Sequence, residues 1–119
     1  MSETKTYQGG CHCGAVRFEV EMDLQGGATC NCSICEKSGT VLTFVPASAF
    51  KLLQGEDGLR DYQFGKKKLH HLFCTTCGIR SFSRGAKPDG TEMAAVNVRC
   101  LDGIDLASVP TKQFQGRDL

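Results

Sequence analysis

The chain has 119 residues, 40% hydrophobic and 23% charged, with a formal net charge of +1 at neutral pH. That length fits one domain, and the composition is ordinary for a soluble protein rather than a disordered or membrane-spanning one. No run approaches the ~20 apolar residues of a membrane span, and the near-neutral charge gives no electrostatic case for nucleic-acid binding. The polar start MSETKTYQGG lacks the apolar stretch of a secretory signal, so a cytoplasmic location without a membrane partner is expected.

In chain order, GGCHCG at 9–14 comes first. Residues two apart on an extended strand are about 7 Å apart, whereas two sulfurs on one zinc lie within about 4.6 Å, so the backbone has to curl if Cys11 and Cys13 share an ion. Gly9, Gly10 and Gly14 flank the pair and permit that curl. AVRFEVEM then alternates Val16, Phe18 and Val20 against Arg17, Glu19 and Glu21, the pattern of a half-buried strand. CNCSIC at 30–35 places Cys30, Cys32 and Cys35 within six residues. TVLTFVP is a second β-rich run ended by Pro46, and ASAFKLLQG begins with an expected helical turn. LRDYQFG and KKKLHHLF read as a hairpin through Gly65. CTTCG at 74–78 is a CxxC turn that Gly78 closes if it takes the left-handed conformation. RSFSRG and EMAAVNVRCL supply two more strands, and the tail ASVPTKQFQGRDL reads as irregular. The pattern predicts a small, mostly β single domain over residues 1–119, pinned by metal.

Eight cysteines are many for this length, and seven fall in three tight groups. In a reducing compartment such grouping points to metal rather than to disulfides. The two pairs, Cys11 with Cys13 and Cys74 with Cys77, together complete one tetrahedral site of the structural kind. Cys30, Cys32 and Cys35 then hold a second ion alone, or take Cys100 as a fourth ligand. Cys100, in NVRCLD, reads more as a buried thiol packing as a small hydrophobe than as that ligand. With three ligands the second site keeps a corner open, the arrangement of catalytic zinc.

GGCHCGAVRF, CNCSICEKSG, HLFCTTCG and VNVRCLDG together resemble, in order and spacing, the family of glutathione-dependent formaldehyde-activating enzymes and the related centromere protein V. The resemblance implies a β-tent fold with two zinc ions per chain. One is structural, on Cys11, Cys13, Cys74 and Cys77, and the other catalytic, on Cys30, Cys32 and Cys35. It also implies the partners: a small-molecule thiol such as glutathione, and formaldehyde or another small aldehyde. The reaction implied is their condensation to an S-hydroxymethyl adduct, a carbon–sulfur lyase-type activity. A non-catalytic zinc module that binds a protein partner or carries a thiol is the alternative.

Around these cysteines, Lys37 and Arg99 are candidate cations for a substrate carboxylate. His71 is a candidate hydrogen-bond donor to a zinc thiolate, whereas His12 would point away from the metal that its neighbours hold. The run Lys66, Lys67 and Lys68 reads as protection of a strand edge.

Overall fold

The computed structural model describes residues 4–30, 33–63 and 69–114, and these form a mostly β domain with one short α-helix among the described residues. The strands are β1 (Lys5–Gly10), β2 (Arg17–Met22), β3 (Gly27–Cys30), β4 (Leu42–Pro46), β5 (Phe50–Gln54), β6 (Leu59–Tyr62), β7 (Leu69–Cys74), β8 (Phe82–Ala86), β9 (Glu92–Asn97) and β10 (Thr111–Phe114). Helix α1 spans Ser33–Ser38. A three-stranded sheet has the order β1-β2-β5, and a seven-stranded one the order β10-β3-β4-β9-β8-β7-β6.

The alternation in β2 is realised: Val16, just before it, and Phe18 and Val20 within it are each 0% exposed. Phe18 and Val20 pack with Val45, Ala94 and Val96 of the large sheet and with Val41 and Val98 beside it, while Val16 packs with Cys11, Cys74 and Phe82, so the core lies between the two sheets. Phe50 stacks on Phe18 with ring centroids 5.2 Å apart and meets Phe82 at 4.6 Å. Each buried aliphatic or aromatic side chain of this kind contributes roughly 1.5–3 kcal/mol, which lets a core without Trp hold two sheets together.

Register sets two ends on the large sheet. Ala28, Leu42 and Asn97 pair across one end, and Pro46, Met93, Gly85 and Leu69 across the other. Because β7 runs from Leu69 to Cys74, its cysteine falls at the Asn97 end. At that end the 3₁₀ turn Val98–Cys100 crosses to the small sheet, where Leu101 bridges Gly9 and the Asp102 N–H donates to the Gln8 carbonyl. An Arg17–Asp102 ion pair fastens the same crossing on the surface. A Cβ on Gly9 would lie 2.4 Å from the Cys100 carbonyl oxygen, and one on Gly10 2.1 Å from that of Val16. These two glycines therefore serve close backbone approach within β1. The curl after it is made by Gly14, at φ +83°.

Several expectations are corrected. SICEKS, read only as a ligand segment, forms α1, closed by Gly39 at φ +68° with its N–H on the Cys35 carbonyl at 2.9 Å. The tail is not wholly irregular: β10 pairs in parallel with β3, using backbone hydrogen bonds that need no apolar alternation. Cys100 sits in a 3₁₀ turn and not on a strand. ASAFKLLQG does begin with a helical turn, Ala47–Ala49, before entering β5. β6 and β7 pair antiparallel as the hairpin expectation requires, while Gly65 and Lys66 to Lys68 lie outside the described residues.

Candidate metal centre

Two turns from distant parts of the chain bring four cysteines together. After β1, the Cys11 N–H donates to the Val16 carbonyl at 3.1 Å and the Gly14 N–H to the Cys11 carbonyl at 3.3 Å. After β7, the Gly78 N–H donates to the Cys74 carbonyl at 2.8 Å, with Gly78 at φ +80° as its position requires. The sulfurs of Cys11, Cys13, Cys74 and Cys77 all lie within 4.8 Å of one another. Cys13 Sγ is 3.6 Å from both Cys11 Sγ and Cys74 Sγ. A tetrahedron of thiolates about 2.3 Å from a central zinc has an edge of about 3.8 Å, whereas a disulfide needs about 2.05 Å. The spacing fits a shared ion, and no disulfide joins the described cysteines.

The turns also aim backbone donors at sulfur. The Val16 N–H reaches Cys11 Sγ at 3.3 Å and the Thr76 N–H reaches Cys74 Sγ at 3.4 Å. The N–H groups of Cys13 and Ile79 bring the Cys77 thiol down to about 6. Those of Cys77 and Thr76 lower Cys74. The Ala15 N–H acts in the same direction on Cys13 and is the largest single influence there, but the Cys11 sulfur, desolvation and the Cys74 and Cys77 sulfurs together outweigh it and hold Cys13 up at about 11. A cluster that favours thiolate at two corners and retains a proton at a third is prepared for a cation that replaces that proton. Among the described residues, this is the one group of three or more Cys, His, Asp or Glu ligands within such reach.

The second cysteine group sits apart from it. Cys30 ends β3 and Cys35 lies in α1, both half-buried, while Cys32 is outside the described residues. Cys100 lies beside the four-cysteine cluster. Burial drives its thiol up to about 11, the Ser81 hydroxyl opposes this, and the sulfurs of Cys11 and Cys77 add to the rise. Cys100 forms no ligand group with Cys30 and Cys35.

His71 does not face the four-cysteine centre. Cys74 and Leu72 face the core, so alternation turns His71 to the opposite face, where its Nδ1 donates to the Tyr62 carbonyl at 2.9 Å. Burial holds this imidazole below the usual histidine range, and the Arg80 guanidinium reinforces that against the pull of the Tyr62 carbonyl. His12, Lys37 and Arg99 are all exposed.

Arg80 is the residue that the sequence reading passed over. Its guanidinium donates to Ser38 Oγ and Thr40 Oγ1, each at 3.1 Å, and its carbonyl accepts from the Asn97 side chain at 3.0 Å. It thereby joins the turn carrying Cys74 and Cys77 to the end of the helix carrying Cys35. The available signal was its place two residues after CTTCG, but its partners are 40 and 42 residues away in sequence.

The fold and cluster define a small β domain organised around four cysteines spaced so that they could hold one metal ion. The chain belongs to the glutathione-dependent formaldehyde-activating enzyme family, whose model matches residues 6–116. It is also similar to a Rhodobacter sphaeroides protein of known crystal structure, a structural-genomics target. The two are 34% identical with a TM-score of 0.76, and the match covers 88% of this chain and 99% of that one. Among the described residues no helix is long and apolar enough to cross a membrane.

Proposed function

We propose that this chain, a single domain over residues 1–119, is a zinc-dependent carbon–sulfur lyase-type enzyme. It condenses glutathione or a similar thiol with formaldehyde or another small aldehyde. The sulfur–carbon bond forms, the carbonyl π bond breaks, and the thiol proton ends on the new hydroxyl of the S-hydroxymethyl adduct. Each chain holds two zinc ions, a structural one on Cys11, Cys13, Cys74 and Cys77 and a catalytic one on Cys30, Cys32 and Cys35. The reaction takes place in the cytoplasm.

The observation that carries this reading is the distribution of the sulfurs. Four lie within 4.8 Å of one another, and Cys100 forms no ligand group with Cys30 and Cys35. The trio is thereby left as a three-ligand set, the number found in catalytic zinc sites. Membership of the formaldehyde-activating family supports glutathione and formaldehyde as the substrates. A zinc ion bound there would supply an ionised thiol at neutral pH, where a thiol of pKa near 8.5 is only about 3% thiolate. The chain's own part is positional. Cys30 is held at the end of a paired strand and Cys35 on a helix fastened by Arg80, so two of the three proposed ligands come from fixed elements.

A second reading, a zinc module that binds a protein partner, is favoured by one observation. Phe44 (60% exposed), Tyr62 (52%) and Leu69 (52%) are exposed on the face of the large sheet that points away from the core.

Cobalt substitution distinguishes the two readings. Glutathione titrated into the cobalt-loaded protein should change the sulfur-to-cobalt and ligand-field bands saturably. Unchanged bands at millimolar thiol would mean a closed trio and favour the partner-binding module.

A further inference from the structure

At the end of the large sheet away from the cysteines, β5, β7, β8 and β9 enclose a groove of about 570 Å³. Phe50, Leu72 and Ala94 supply its apolar lining, and Arg84, Glu92 and His70 its charged or titratable groups. That volume and that mixture of apolar surface with a few polar groups suit a small-molecule site. The groove is separate from the proposed catalytic trio. From the Met93 row to the Cys30 row is six residues, or about 20 Å along the strands. Alternation also places Cys30 with Ala28, Leu42 and Asn97 on the face away from the core, whereas Arg84 and Ala94 are on the core side.

The charges in the groove are arranged unusually. The Arg84 guanidinium is 5.2 Å from the centre of the Phe82 ring and 6.0 Å from that of Phe50, held over two aromatic faces. Glu92 is its diagonal neighbour on the adjacent strand, since Arg84 pairs with Ala94 and Ala86 with Glu92. Diagonal neighbours of opposite charge are placed to pair, yet no ion pair joins these two or links either to another described residue. His70 is engaged with Asp61 at 2.6 Å. An unpaired cation and an unpaired anion thus face one apolar groove from neighbouring strands.

We propose that this groove binds a small zwitterion with an apolar side chain, of the α-amino-acid class. Its carboxylate meets the Arg84 guanidinium, its ammonium meets Glu92, and its side chain lies against Phe50 and Leu72. Arginine's planar fork matches a carboxylate, and the aromatic rings beneath it hold that fork in place. This inference is independent of the reaction proposed for the cysteines.

The test is an NMR titration of the metal-loaded protein with L-leucine, 3-methylbutylamine, which lacks the carboxylate, and 4-methylpentanoate, which lacks the ammonium. Leucine should shift the Arg84, Phe50 and Ala94 resonances saturably, and each single-charge analogue should bind at least ten-fold more weakly. Glu92→Gln should bring leucine down to the affinity of 4-methylpentanoate, and Arg84→Lys should also weaken leucine binding. Both variants must keep the wild-type spectrum away from the groove. No shift at 10 mM leucine would overturn the proposal, as would equal affinity for all three probes or leucine binding unchanged in both variants.

Discussion

Replacing Cys74 by serine tests how much of the fold depends on the four-cysteine centre. The cluster joins Cys13 to Cys74 across 61 residues, so it closes a long loop of the unfolded chain. A cross-link over a loop of that size removes chain entropy worth about 4 kcal/mol. For a domain of this length the unfolding entropy is on the order of 250 cal/mol/K, so the melting temperature should fall by about 15 °C. Cys74 is also fully buried, and the smaller serine leaves space where the sulfur packed, which adds to the loss. Calorimetry of metal-loaded wild type and Cys74→Ser in reducing buffer reads the shift, and elemental analysis should show one metal ion fewer. Cys13→Ser opens the same loop, so the double variant should lose little more than either single one. A fall below about 5 °C with metal content unchanged would show that the cluster does not hold this loop closed.

Arg80→Ala removes both hydrogen bonds to the end of α1 and should cost about 1–3 kcal/mol, read by chemical denaturation. It should also lower metal occupancy at the trio more than at the four-cysteine centre, and equal loss at both would show that α1 does not depend on this tie. Cys100→Ser should leave metal content unchanged, because Cys100 lies outside every ligand group among the described residues; the loss of one ion would make it a ligand. His71 is held below its usual value of 6.5 by burial, so the unfolded chain binds the extra proton first. Its contribution to stability is therefore complete above about pH 6.5 and lost as pH falls through the lower folded value. His71→Gln should flatten the decline in melting temperature between pH 7.5 and 5.5, and a parallel decline in both proteins would contradict the assignment.

The four-cysteine centre was legible because it is written locally twice. Each half has a short spacing and a glycine, Gly14 or Gly78, that lets its turn close, and only the pairing of the halves is long-range. The β2 core face was legible for a similar reason, since Val16, Phe18 and Val20 alternate without interruption. What escaped was set by tertiary contact. Gly9 and Gly10 looked like turn residues, but they are small because the Cys100 and Val16 carbonyls press against β1. SICEKS is too short for a helical period to register, and its end is held by Arg80 from a distant turn. β10 exists through a parallel partner that sequence periodicity does not reveal. His71 stands out by its nearness to CTTCG, but that nearness does not tell which face it takes, and strand alternation puts it opposite Cys74.

Whether the cysteine trio carries out thiol–aldehyde condensation is read by exchange NMR on an equilibrium mixture of glutathione, formaldehyde and S-(hydroxymethyl)glutathione. Zinc-loaded protein should speed the exchange well beyond the spontaneous rate in the same buffer, and Cys32→Ser with the four-cysteine centre still loaded should return it to that rate. An exchange rate equal to that of protein-free buffer, or one unchanged by Cys32→Ser, would contradict the account.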